Sequence, residues 1–589
     1  MKRIFPSALL AMCLALLVGA CKSDPKTENA AWKRTTSDVI LRLENNPDRL
    51  NPLLSTSGYG SQVNNQIFQF LMSVNPQTLE LIPQLLKSKP TATDITEGTW
   101  KGGVAYAMEI HDKAMWDNGT PVTANDYAFS LKAVLNPLVD APRVRAFIDI
   151  IRDVQVDAAN PKKFTVFVSE KHIIGEEKIC GAFPVMPEYL YDPKGLLKSI
   201  PLQDLTTPAK AEELAKAGGA LKAFADEFQS PKYSNEKEFI GGSGPYRLES
   251  WESGQRVVLV KKSNWWAQDM ADSQVTLESY PDRLVYQVIT EVTTAIQALR
   301  NEEIDAMSDI DPLQWDSLRN NASMKDIYNF HTPLMLTNFL IYVNTRNPKV
   351  SDKRVRKAIA HALDLDVFIK TIFNGLGQKA VGPVHPSAEY FNSDLKPMEH
   401  NVNLSRQLLG EAGWKDTNGN GTADKQIGGK TVELELEYLY TAGRKISEDA
   451  ALLLQQQLKQ AGITLKLVPK DFNAMLAAQR SGEYELCSGG RALSPTLWEP
   501  NQSWSTTQDN RTGFGNAETD ALINQIQVTL DKKQRNDLYK KLQAIIYDEQ
   551  PEIYLMVPTG RLAIHKRFQA EPSSLHPGYF PNQFNLVNQ

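Results

Sequence analysis

One stretch towards the carboxyl end limits the possible fold more than any other. Val432, Leu434, Leu436, Tyr438 and Tyr440 alternate with Glu433, Glu435 and Glu437, the period-two pattern of a strand with one buried face. Residues 447–461, rich in Ala, Leu and Gln, read as a helix closed by Gly462. A second strand follows at 463–468. Asp471 then caps a second helix that stops at Gly482, and 484–487 form a third strand. Strand, helix, strand, helix, strand with short joints predicts right-handed parallel crossovers in one sheet, and so an α/β chain. Ligands of such sheets sit beyond the carboxyl ends of the strands. The third strand runs into Ser488-Gly489-Gly490-Arg491, which is either a ligand approach to bare backbone or a simple turn.

The amino-terminal half reads as richer in strands. Tyr246-Arg247-Leu248 and Val257-Val258-Leu259-Val260 flank Glu252-Ser253-Gly254-Gln255 as a hairpin. Thr123 is placed to cap a helix with Asp126 in its first turn. The Ala- and Lys-rich 202–235 segment predicts an inserted helical excursion. With 589 residues, 42% hydrophobic and 23% charged, the chain has material for about three or four domains. It needs neither metal nor disulfide to hold a core. Its 64 basic against 69 acidic residues give a net charge of -5, without the basic excess of a nucleic-acid binder. After residue 20 no apolar run approaches the ~20 residues that cross a bilayer.

The first twenty residues have a different character. Lys2 and Arg3 precede the apolar run from Ala8 to Leu17, and Val18-Gly19-Ala20-Cys21 ends it. That is a secretory leader of residues 1–20 followed by a lipidation signal on Cys21. Residues 21–36 then form a polar tether to a membrane surface. Export and anchoring of the body on the periplasmic or cell-surface side are the expectation. Only Cys180 and Cys487 remain beyond it, and the sequence leaves open whether they pair.

Signatures of catalysis are missing. The eight histidines form no HExxH pair or close cluster, and Gly242-Ser243-Gly244-Pro245 is out of frame for a nucleophile elbow. No cofactor is expected. Asp416, Asn418, Asn420 and Asp424 occupy calcium-loop positions 1, 3, 5 and 9, with Gly421 at 6, but Ile427 stands where the bidentate Glu belongs. A tight Asn-Gly turn is the favoured reading, with the metal site a weak candidate.

Four segments occur in a telling order. They are Trp116-Asp117-Asn118-Gly119-Thr120-Pro121-Val122-Thr123-Ala124-Asn125-Asp126; Gly242-Ser243-Gly244-Pro245-Tyr246 with Asn264-Trp265-Trp266; Asn344-Thr345 with Val355-Arg356-Lys357-Ala358 and Ala362-Leu363-Asp364; and Leu409-Gly410-Glu411-Ala412-Gly413-Trp414. In series they resemble the extracellular solute-binding proteins of family 5, the oligopeptide- and dipeptide-binding components of ABC importers. The resemblance implies a bilobal periplasmic-binding-protein type II fold, with a hinge-closing cleft and an additional third domain. Lobe I would comprise 37–71, 183–337 and 557–589, the additional domain 72–182, and lobe II 338–556.

The resemblance also places ligand contacts at Thr56, Ser57, Gly58 and Tyr59, at Phe472 and Arg480, and at Gly489, Gly490 and Arg491. Tyr59 and Phe472 read equally well as core. The family's aspartate for a peptide α-ammonium is absent from 490–500, Arg491 stands where Trp is expected, and Glu499 is the one nearby acid. Arg491 is therefore expected to favour an anionic ligand group. A monomer that hands short peptides or a related solute to permease and ATPase subunits is the implied function. Solute sensing without transport, a non-peptide ligand, and an exported enzyme are the alternatives.

Overall fold

The computed structural model describes residues 34–507 and 510–587. The leader and the proposed lipidation site at Cys21 lie outside them. Met1–Thr36 is a separate unit from Ser37–Gln589, and all the sheets lie in the second.

The carboxyl-terminal pattern builds a six-stranded sheet. In chain order its strands are β1 (Thr337–Val343), β2 (Gly377–Lys379), β3 (Glu435–Thr441), β4 (Thr464–Lys470), β5 (Leu486–Ala492) and β6 (Glu552–Pro558), arranged β2-β6-β1-β5-β3-β4. β3 lies parallel to both β4 and β5, joined by helices α1 (Lys445–Gln460) and α2 (Phe472–Ser481), as the sequence predicts. Asp471 Oδ1 accepts from the Ala474 N–H at 3.0 Å, and Gly482 closes α2 in the left-handed region.

Beyond this parallel unit the sheet is mixed, since β5, β1, β6 and β2 pair antiparallel in succession. Two expectations need correction. The strand expected across 432–440 is two strands, because the chain changes partner at fully buried Leu434. The Leu434 N–H bonds to Ala423 O at 2.7 Å, while its carbonyl accepts from Thr464 N at 3.1 Å. Lys430–Glu433 accordingly pairs with Asp424–Ile427 in a separate hairpin. Nor does β5 end at Cys487. β1 pairs with it residue for residue from Leu486 to Ala492, so Gly489 and Gly490 lie inside a strand.

A seven-stranded sheet draws on distant parts of the chain. Val39–Leu43 pairs with Arg283–Val288 and Ala306–Met307, and Leu562–His565 joins at Ala306–Met307. The expected hairpin, Tyr246–Glu252 with Arg256–Lys261, forms one edge. Arg567 and Asp305, both fully buried, pair at 2.8 Å, and Asp305 Oδ2 accepts from Ile40 N at 2.8 Å. One ionic network thus ties the first, middle and last segments together. Gly244 is needed here because a Cβ would lie 2.7 Å from the carbonyl oxygens of Gln66 and Ile67. Trp265 and Trp266 both donate to Ser243 O.

A four-stranded antiparallel sheet (Thr91–Asp94, Val104–Glu109, Lys163–Val168, Ile151–Val156) stands apart from both. Beside it runs Ala124–Leu135, where Asp126 Oδ2 reaches back to Thr123 N at 2.9 Å. The 202–235 excursion is helical, as expected.

The chain crosses between the two large sheets twice. It leaves Tyr328–His331 for β1 and returns from β6 to Leu562–His565. The two crossings touch: Leu334 bridges Thr559, Met335 N donates to Pro558 O at 2.8 Å, and Gly560 N to Pro333 O at 2.7 Å.

Candidate functional site

β5 outruns its parallel neighbour. β3 reaches it only at Leu486 and Cys487, and among the described residues no strand pairs with that side of 488–492. Odd-numbered residues face β1, since Glu485 O accepts from Asn344 N and Leu493 N donates to Leu336 O. Backbone N–H and C=O groups alternate in direction along a strand, so those of Ser488, Gly490 and Ala492 point to the open side. The Ser488 carbonyl receives Gln479 Nε2 at 3.3 Å, which leaves Gly490 and Ala492 as the open rungs.

Gly489 shapes the adjoining face. A Cβ there would sit 2.3 Å from the Tyr342 ring, so the missing side chain is the space the ring occupies. The Arg491 guanidinium lies over Tyr342 and over buried Trp504, 5.9 and 5.4 Å from their centroids. From there it pairs with Glu552 of β6, whose other oxygen accepts from Tyr554 Oη at 2.8 Å. Burial pushes the Glu552 carboxyl upward, and Arg491 pulls it back. Burial likewise opposes the charge of Arg491, but Glu552 and the two tyrosines together hold its pKa above the ordinary value. Arg491 carries its charge, since a guanidinium keeps its proton in a protein.

The Arg491 guanidinium, expected to favour an anionic ligand group, thus meets Glu552, a residue with no place in the sequence expectation. Arg511, also missed, lines the same cavity of about 370 Å³ with Gly490, Ala492 and Glu552. Gln479 Oε1 accepts from Arg511 Nη1 at 3.0 Å. A neighbouring cavity of about 340 Å³ shares Arg491 and is lined by Glu499, His385 and, from the four-stranded-sheet region, Phe147 and Glu177. A third, of about 290 Å³, shares Glu177 and Tyr390 with the second.

The electrostatics differ along this series. Burial raises the Glu177 carboxyl, the Thr496 hydroxyl that donates to it works the other way, and Glu499 adds to the rise. His172 stands 3.4 Å from Glu499 Oε1, with burial lowering its pKa. Burial lowers His385 to about 4.

Gly489, Gly490, Arg491 and Glu499 thus come together. Phe472 is 56% exposed, so core packing does not account for it. It opens the stripe of α2 that carries Met475 and Gln479 to β5. Arg480 is exposed on the last turn of α2, and it lines none of the three cavities. Thr56, Ser57, Gly58 and Tyr59 are also absent from those linings. Thr56 N donates to Asp48 Oδ2 at 3.0 Å, Ser57 caps the helix Gly58–Ile67, and Tyr59 Oη reaches Glu44 at 3.5 Å.

In the 416–424 loop the oxygens serve the loop itself. Asp416 accepts from Gly419 N and Gly421 N, Asn418 from Asn420 N, Asn420 from Thr422 N, and Asp424 from Thr417 N. Cys180 and Cys487 are both buried and free. Among the described residues no helix is long and apolar enough to cross a membrane.

Known proteins fit this architecture. The oligopeptide-binding protein AppA of Bacillus subtilis (strain 168) is 25% identical over 571 residues, covering 95% of this chain and 94% of its own. The nickel-binding periplasmic protein of Escherichia coli (strain K12) is 23% identical over 93% of this chain and 91% of its own. The unliganded open form of MppA, a periplasmic murein tripeptide binding protein, superposes with a TM-score of 0.71 at 15% identity, covering 94% and 98% of the two chains. The sequence profile of the bacterial extracellular solute-binding proteins, family 5 middle, matches residues 80–514. The chain belongs to family 5 of the bacterial extracellular solute-binding proteins.

Proposed function

We propose that this chain captures short peptides between two lobes and delivers them to the permease and ATPase of an ABC importer. The observation that carries this reading is the open edge of β5. Gly490 and Ala492 offer main-chain donors and acceptors to an extended ligand, the strand-addition mode, in which side-chain identity matters little. The seven-stranded sheet would be lobe I, the six-stranded sheet lobe II, and the four-stranded sheet the additional domain, with boundaries at 71, 182, 337 and 556. The paired crossings at 332–336 and 559–561 would be the hinge. Closure would carry Thr56, Ser57, Gly58 and Tyr59 towards the β5 cavities, with Phe472 at their rim. A lipid on Cys21 would hold a monomeric body at the membrane, and loss of acyl label in Cys21→Ala tests that anchor.

Calorimetry with di- to pentapeptides tests the capture. Peptides of different side chains should bind within about tenfold of one another. N-methylation of the peptide unit facing Gly490 should abolish binding, because a strand without its N–H cannot complete the ladder. Tolerance of N-methylation throughout would overturn strand addition. Binding of a nickel or other metal chelate with no peptide affinity would make the ligand non-peptidic.

A further inference from the structure

The cavity beside Gly490 holds more hydrogen-bond donors than acceptors, and the surplus is positively charged. Three ionisable groups meet there: Arg491, Arg511 and Glu552. Glu552 is fully buried and both its oxygens are engaged, one by Arg491 and one by Tyr554 Oη. Arg511 feels the Glu552 charge and lies over the Tyr342 ring, 5.9 Å from its centroid, but bonds to neither Glu552 oxygen. Among the described residues its side chain makes one hydrogen bond, to neutral Gln479, and no acidic side chain forms an ion pair with it. A guanidinium has five N–H donors in a fixed fork, so four remain. The buried Arg491 Nε also lacks a partner.

The placement of Arg511 is built. Gln479 is 2% exposed. It takes Arg511 through its oxygen and donates through its nitrogen to the Ser488 carbonyl at 3.3 Å. One side-chain amide therefore fixes the free guanidinium against the strand whose next open rung is Gly490.

We propose that Arg511 is the anion-recognising residue of this cleft, and that the captured solute presents a carboxylate to it while its main chain lies on Gly490 and Ala492. This rests on the peptide reading above. Arg491 is already paired with Glu552, so the selectivity is assigned to Arg511. The second cavity sets Glu177 and Glu499 beside Arg491, and the third mixes Glu80, Glu176, Glu177 and Glu389 with Lys89, Lys532 and Arg535. The carboxylate is either the ligand's carboxyl terminus or an acidic side chain, and both match the guanidinium fork.

Calorimetry on the purified chain with three probes separates these sources: Ala-Ala-Ala, its carboxyl-terminal amide, and Ala-Glu-Ala amide. At least one carboxylate-bearing probe should bind tenfold or more tightly than Ala-Ala-Ala amide. Preference for Ala-Ala-Ala assigns the terminus, and preference for Ala-Glu-Ala amide assigns a side chain. Arg511→Gln should erase the preference while shifting the neutral amide less than twofold, and Arg511→Lys should retain most of it. A preference unchanged in Arg511→Gln, or no preference in the wild type, overturns the proposal. Acetate keeps the anion arm independent of peptide capture. It should raise the melting midpoint of the wild type more than that of Arg511→Gln, and an equal rise overturns the anion site even where peptides bind. If no peptide binds but acetate still discriminates, the peptide reading fails and the anion site stands.

Discussion

Arg491 and Glu552 form a largely buried pair, so removing one strands the other. Arg491→Ala is expected to destabilise the fold by about 3–5 kcal/mol, as for other broken buried pairs, seen as a lower urea midpoint. Joint replacement of both by methionine should recover most of that loss, because a well-packed apolar pair leaves no charge uncompensated. An Arg491→Ala midpoint equal to wild type would show that water reaches the pair. His385, 2% exposed, gives a pH signature. Its folded pKa of about 4 lies below the ordinary 6.5, so on acidification the unfolded chain takes up the proton first. Stability therefore falls as pH drops from 6.5 towards 4, by about 3 kcal/mol for the full shift. His385→Gln should flatten that part of the profile, and an unchanged slope would assign the dependence to other groups.

Within one element, neighbouring glycines have different reasons to be glycine. Gly489→Ala forces a Cβ into the Tyr342 ring and should cost about 1–3 kcal/mol, as overpacking does. At Gly490 the nearest heavy atom to an added Cβ is Phe339 at 3.7 Å, so Gly490→Ala should melt within about 0.5 kcal/mol of wild type. Equal losses at both positions would refute the packing account. The sequence shows a Gly-Gly pair and no more, because the difference comes from β1, about 150 residues away. Local signals are legible in the sequence: the alternation through β3, the Asp471 cap, the Gly482 stop and the 246–260 hairpin all depend on neighbours in sequence. The length of β5 and the break at Leu434 depend on distant partners and are not. Glu552 stands at the head of the apolar run Ile553-Tyr554-Leu555-Met556-Val557, and a charge there was the available sign of a buried pair. Arg511 carried no such sign. The segments that marked the family mostly build the scaffold. Trp265 and Trp266 clasp Ser243, and Arg356 is buried against Glu549 at 2.9 Å.

At the scale of the whole chain, the two sheets are joined by two short crossings that bond to each other, and in the proposed closure these would be the hinge, with few dihedrals available to move. A ligand that touches both lobes biases the open–closed equilibrium by its differential affinity. Small-angle scattering should therefore show a smaller radius of gyration on saturation with a binding peptide, and an unchanged radius would place the whole site on one lobe. The position of the β5 edge has another effect. A bare strand edge invites other chains, and exposed ones seed aggregation. Here one of the open rungs, Ala492, lines a cavity that Glu177 and Phe147 also line, so its walls would act as a thickness gauge. A single extended chain is thin enough to enter, whereas a strand still attached to its own sheet brings neighbours that strike the walls. An edge placed so would take up a single extended solute and would be kept from pairing with a second copy of the protein.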